Sequence, residues 1–148
     1  MNEFSSPYPL LTIFSLALLL LCLKALILGA ATAATRGRIK QFINAEDAVW
    51  LKGTHVEFDS EAVARTGRTH RNDLENLLVF AIAGAVYLAA GASEIAGIIY
   101  TGLFVIARLL HTFAYLSGRP LLRRNAYTLG FFVIAAMSVH AAMGLIIN

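Results

Sequence analysis

Charge is scarce in this 148-residue chain: Asp, Glu, Lys and Arg make up 14% of it, against about 25% in an ordinary soluble domain. That density argues against a surface that meets water on every side. Cysteine is nearly absent. Cys22 stands alone inside an apolar run, which excludes an internal disulfide and reads as a small buried apolar residue. Lysine and arginine are missing from both ends of the chain, and the sequence carries no internal repeat or low-complexity segment. His55 and His70 lack the company of a metal-ligand set, so no metal site is expected. No nucleic-acid partner is expected either.

What is abundant is apolar: 58% of the residues are hydrophobic. A helix needs about 20 apolar residues to cross a bilayer core. Four runs meet that length, and the reading is one all-α membrane domain over 1–148. Its helices cover about 8–35, 61–92, 95–117 and 121–147. The first run is too long, and its leading flank too uncharged, for a cleavable signal peptide. The short connections after the second and third helices imply antiparallel neighbours. The long connection after the first is free of proline and holds most of the charge. Its last residues, from Glu61 on, are expected to begin the second helix above the membrane. Trp50 in this loop reads as an interfacial anchor, and Gly84, Gly91, Gly97 and Gly102 as sites of close helix packing.

Basic residues give the orientation. The first loop carries Arg36, Arg38, Lys40, Lys52, Arg65, Arg68 and Arg71, the third Arg119, Arg123 and Arg124, and the second only Glu94. Basic loops stay in the cytoplasm, so both termini are expected on the opposite side.

Ionisable groups at membrane depth are expensive and must be partnered or used. Lys24, mid-span, is expected to neutralise Asp73 or Glu75, and His140 to be packed or interfacial. The others fall into helical stripes. Arg68, Arg71, Asn72 and Glu75 share one face, Arg108, His111 and Tyr115 a second, and Arg119, Arg123 and Tyr127 a third. All three stripes reach the basic-loop side and are expected to face inward. His70, beside the first stripe, reads as a helix-surface or capping group. Arginine forks bind carboxylates in bidentate fashion. An excess of arginine over carboxylate calls for a small polyanionic ligand, unless the stripes are interhelical ion pairs and snorkelling arginines.

RTHRNDLEN (Arg68 to Asn76) and ARLLHTFAYL (Ala107 to Leu116) give the sequence a resemblance. With NAEDA (Asn44 to Ala48) after Arg36-Gly37-Arg38, and RRNAY (Arg123 to Tyr127), it resembles the MAPEG family, membrane-associated proteins in eicosanoid and glutathione metabolism. The resemblance implies a four-helix bundle assembled as a homotrimer, with glutathione held between subunits. The implied glutathione contacts are Arg36, Arg71, Asn72, Glu75, His111, Tyr115, Arg123 and Tyr127. Arg123 would lie nearest the sulfur as the catalytic residue, with Arg68, Arg108 and Asp47 in support.

The implied activity is glutathione transfer to apolar electrophiles, or reduction of lipid hydroperoxides, with the second substrate entering from the bilayer. The implied setting is a bacterial inner membrane or the endoplasmic reticulum. Two alternatives stand beside it: an isomerase like prostaglandin E synthase, and a non-catalytic lipid-binding or scaffold member. In the prostaglandin synthase branch a serine follows the arginine matched by Arg123. Here that residue is Arg124, and the loop before it is one residue shorter, which counts against the isomerase.

Overall fold

The computed structural model describes residues 8–147. The extreme ends, expected opposite the basic loops, fall outside the described residues. Four long helices dominate: α1 (Pro9–Ile39), α3 (Glu61–Ala89), α4 (Glu94–Leu116) and α5 (Pro120–Ile147). All four are long and apolar enough to cross a membrane, and they pack as a bundle. The protein is multi-pass, and large apolar side chains such as Leu19, Leu26, Ile82 and Phe132 point outward to lipid. Cys22 is among the exposed residues too, not buried as expected, because α1 buries only the narrow line Leu10, Phe14, Ala17, Leu21, Ala25 and Leu28.

Local chemistry sets the helix ends. Pro9 opens α1, where its missing N–H costs nothing, and Lys40 closes it in the left-handed region at φ 56°. Ser93 caps α4 by accepting from the Ala96 N–H. Gly118 takes φ +67° so that Arg119 N–H can reach back to the Ala114 carbonyl at 2.8 Å, and Pro120 then starts α5. These turns make α4 and α5 antiparallel neighbours.

The helices do not form a symmetric square. α3 and α4 touch each other and both flanking helices, whereas α1 and α5 make no direct contact among the described residues. Aromatic rings fill the middle. Phe80 stacks on Phe104 at 4.0 Å between centroids, and Phe14 tilts against Phe80 at 5.3 Å. Gly84 permits that approach, since a Cβ there would lie 2.0 Å from the Phe14 ring. Gly97 plays the same part against Leu10 and Tyr87, whereas Gly91 and Gly102 face open space. Gly91 serves the α3–α4 turn at φ +60°, a correction to its expected packing role.

The long loop is folded. Gln41–Phe42 (β1) pairs in parallel with Thr54–His55 (β2), enclosing the short helix α2 (Ala45–Trp50). Phe42 and Ala48 are buried beneath it, and Trp50 is 79% exposed. His70 packs its ring against α1 at Gly29, so it is an interhelix packing group and not a cap.

Candidate active site

The inward face of α3 is set by Val63, Thr69, Asp73, Phe80 and Tyr87. That face is rotated from the stripe read in the sequence. Arg68, Arg71 and Glu75 are consequently exposed, and within this stripe only Asn72 leans toward the interior. The expected inward convergence holds for Asn72 and for α4, and fails for the rest of the α3 stripe and for Arg119 and Tyr127 of α5, which are exposed.

The interior is organised by Asp73. Its Oδ1 accepts from Arg108 Nε at 3.2 Å and Nη2 at 2.5 Å, and its Oδ2 meets Lys24 Nζ at 2.7 Å and the Thr112 hydroxyl at 3.2 Å. Lys24 completes its shell by donating to Thr112 Oγ1 at 2.9 Å and the Arg108 carbonyl at 3.2 Å. Lys24 is thus neutralised by Asp73, not Glu75. Arg108 and Asp73 are 2% and 3% exposed, and the hydrogen bonds of Nε and Nη2 offset the burial of the pair, while Arg108 Nη1 is buried without a partner among the described residues. Arg108 Nη2 reaches further, to Asn72 Oδ1 at 2.8 Å and His111 Nδ1 at 3.4 Å.

Aromatic contacts carry the cluster outward from His111. Its ring meets Tyr115 edge-on at 5.6 Å and Tyr127 at 6.3 Å. The Arg123 guanidinium lies over the Tyr115 ring, 4.5 Å from the centroid, within the range of a cation–π contact. Arg68 lies close to Tyr115 on the other side and pairs with Glu61 at 2.9 Å. The second and third stripes therefore meet, through His111, Tyr115, Arg123 and Tyr127. Arg119 is apart, over Phe113.

Arg71 and Glu75 have no ion-pair partner among the described residues. Glu75, Asn72, Asn76 and Tyr127 line the polar end of a cleft of about 350 Å³ between α3 and α5. Val79, Phe131, Ile134 and Ala135 line its apolar end. A molecule with a charged head and a greasy reaction partner fits such a cleft. A second opening of about 210 Å³, bounded by Arg65, Arg68, Tyr115 and Arg123, lies next to it.

Arg36 is elsewhere. It clasps Asp59 through two hydrogen bonds of 2.9 and 2.5 Å, tying the end of α1 to the start of α3. Asp47 lies near enough to Arg36 to feel its charge and accepts from Asn44 Nδ2 at 2.9 Å. Among the described residues no cluster of His, Cys, Asp and Glu could hold a metal.

Three polar residues escaped the sequence reading of the site. Asp73 was legible only as a counterion for Lys24, because it is off the α3 stripe. Thr112 carries no charge, so nothing marked it. Asp59 sits 23 residues from Arg36 in a loop with no periodic pattern.

Comparison with known proteins follows the same lines. Residues 14–143 match the MAPEG family. The chain is 33% identical to the prostaglandin E synthase of Homo sapiens over 132 residues, 88% of this chain and 87% of that protein. It is 34% identical to the prostaglandin E synthase of Equus caballus over 127 residues, 85% and 83% of the two chains. It is 38% identical to microsomal glutathione S-transferase 1 of Homo sapiens over 114 residues, 74% and 72% of the two.

Proposed function

The chain belongs to the MAPEG family, and from that premise we propose that it is a membrane-bound glutathione transferase that also reduces lipid hydroperoxides. The observation that carries this reading is the α3–α5 cleft, with its polar end at Asn72, Glu75 and Tyr127 and its apolar end at Val79 and Phe131. Glutathione offers two carboxylates, an ammonium and a thiol. Arg36 and Arg71 take carboxylates, Glu75 takes the ammonium, and Asn72, His111, Tyr115 and Tyr127 supply neutral hydrogen-bonding and packing groups. Arg123 stands beside the sulfur. A positive charge there lowers the thiol pKa and raises the fraction of thiolate.

In transfer, the thiolate forms a bond to an electrophilic carbon, and the leaving group departs with the bonding electrons. In reduction, the thiolate attacks the terminal hydroperoxide oxygen. The O–O bond breaks to give glutathione sulfenic acid and an alkoxide, the alkoxide takes a proton from water and leaves as the alcohol, and the thiol of a second glutathione displaces water from the sulfenic acid to form the disulfide. The apolar end of the cleft opens to the bilayer, where such second substrates dissolve.

The same reading calls for a homotrimer. Arg36 belongs to α1, which does not touch α5, so an Arg36 contact in an α3–α5 cleft comes from a neighbouring subunit. It also places the first and third loops in the cytoplasm. The test is a glutathione titration with conjugation and peroxidase assays in detergent, using a generic electrophile and an organic hydroperoxide. Binding with turnover is the expected result; absence of binding sinks the reading. Native mass spectrometry showing mainly monomer under gentle release would overturn the trimer.

A second reading is isomerisation of a prostaglandin endoperoxide. Relatives named prostaglandin E synthase, one of which covers 88% of this chain, favour it. Arg124, where that branch has serine, opposes it. An endoperoxide isomerisation assay on the same preparation separates the two.

A further inference from the structure

The Asp73 network has a geometry that exceeds what burying a charge requires. Lys24 makes three contacts, to Asp73 Oδ2, Thr112 Oγ1 and the Arg108 carbonyl. An ammonium has three protons, so none is left over. Thr112 accepts from Lys24 and donates to Asp73. Asp73 holds Arg108 by both Nε and Nη2 on a single oxygen. The guanidinium is planar and rigid, so fixing those two nitrogens fixes its whole plane. The same Nη2 then meets Asn72, which lines the cleft, and lies 3.4 Å from Nδ1 of His111, which is buried beside the cleft residue Tyr127.

Both contacts have a chemical consequence. A guanidinium N–H can only donate. Asn72 must therefore turn its carbonyl oxygen to Arg108, which leaves its amide NH₂ for the cleft. Nη2 has two protons, which the shorter contacts to Asp73 and Asn72 take; His111 Nδ1, 3.4 Å from the same cationic nitrogen, faces N–H groups and no acceptor, which favours a lone pair there and the ring proton on Nε2. Each side chain could present either a donor or an acceptor to a ligand, and each is held with its donor free.

We propose that Asp73, locked by Lys24 of α1, is a positioning residue: acting through Arg108, it sets Asn72 and His111 as hydrogen-bond donors and so tunes the cleft for an acceptor-rich anionic ligand. This rests on the glutathione reading for the identity of the ligand, but not for the geometry. The network reaches across three helices, α1, α3 and α4, so the donor setting depends on the packing of α1, which contributes nothing else to this cleft within its own subunit.

The experiment uses full-length protein in lipid nanodiscs, labelled with ¹⁵N-histidine. The His111 ring is assigned by its loss in His111→Gln. In the ligand-free wild type, the ring nitrogens are expected to report a single Nε2–H tautomer. Arg108→Lys keeps a buried positive charge but cannot reach Asp73, Asn72 and His111 together. Asp73→Asn keeps the shape and loses the charge that holds Arg108. In both, His111 is expected to shift toward a mixture of tautomers, and glutathione affinity to fall roughly 10-fold or more, the scale of a lost charge-assisted hydrogen bond. Thr112→Val, which leaves every charge in place, is expected to give a smaller shift in the same direction and serves if the charge variants fail to fold. Folded variants with lowered thermal stability but an unchanged tautomer would show a purely structural network and overturn the proposal. Wild type with the Nε2–H tautomer but no affinity for glutathione would sink the glutathione reading and leave the positioning role standing.

Discussion

At the α3–α4 turn end of the bundle, His140 of α5 sits between Tyr87 and Tyr100, whose hydroxyls lie 3.4 and 3.5 Å from its Nδ1. The rings cross nearly at right angles, at 88° and 90°. The Tyr87 hydroxyl donates a hydrogen bond to the Ser93 carbonyl at 2.7 Å. At the loop end, Asp73 sits between Lys24 and Arg108. Both clusters bury polar atoms among helices, and both satisfy most of them, Arg108 Nη1 being the exception at the loop end. The turn end does so with two hydroxyls, an imidazole and ring edges. The loop end does so with two cations on one carboxylate, and it leaves Arg71 and Glu75 outside without partners. A polar cluster that closes on itself is architecture. One that leaves charges unanswered on the rim of a cleft asks for a ligand.

The sharpest way to break this contrast is to remove the unanswered charges. Arg71→Ala and Glu75→Ala each delete one partner of the proposed glutathione contact, which costs about 2–5 kcal/mol when the ligand desolvates it. Glutathione affinity, read by calorimetry on folded protein, is expected to drop by roughly 30-fold or more in each. Wild-type affinity in both would remove the loop end from consideration. The border between the two regions is next. Gly84→Ala drives a methyl into the Phe14 ring, an overpacking that costs about 1–3 kcal/mol. Thermal unfolding should come earlier, while glutathione affinity in the surviving fold stays put. Lost affinity would mean that the core, not the rim, governs binding.

Arg123→Leu sharpens the contrast within the loop end. Arginine stays charged at every working pH, so it favours thiolate over thiol. Each unit by which the bound thiol pKa rises in the variant is about 1.4 kcal/mol. The thiolate ultraviolet band should appear at higher pH, and turnover at neutral pH should fall with it. Superimposable titration curves in variant and wild type would reduce Arg123 to a helix anchor. The smallest effect belongs to the turn end. His140→Gln trades contacts of 3.4 and 3.5 Å for similar ones, worth about 1 kcal/mol or less. Binding and turnover should not change, and a kinetic defect there would erase the distinction.

Much of this was legible in the chain. The four apolar runs announced the helices, since length and composition decide membrane spanning. The Arg108–His111–Tyr115 and Arg123–Tyr127 spacings announced the meeting of α4 and α5. The facing of α3 was not legible. Its charged stripe and its buried stripe, through Thr69 and Asp73, lie side by side on a helix that is polar at one end and apolar at the other. Only contact with α1 and α4 decides which of them turns inward. The folded loop was hidden too, because two-residue strands and a one-turn helix are too short to show a period. The Arg36–Asp59 clasp depends on that loop's path and so had no local signature.

Lys24 also bears on how the protein enters its membrane. α1 is synthesised first and is the most apolar of the four spans. A lone lysine near its middle costs about 2.5–3.5 kcal/mol on insertion scales, which its run of leucines can offset unaided. α3 follows, the least apolar span, and it brings Asp73. By then a cation is already waiting at the right depth, so the aspartate need never face lipid alone. Arg108 arrives last on α4 and meets a carboxylate already in place. The order of the helices along the chain is thus an order in which each new charge finds its partner embedded before it. The same helices strung in another order would ask α3 to carry Asp73 into the bilayer without help.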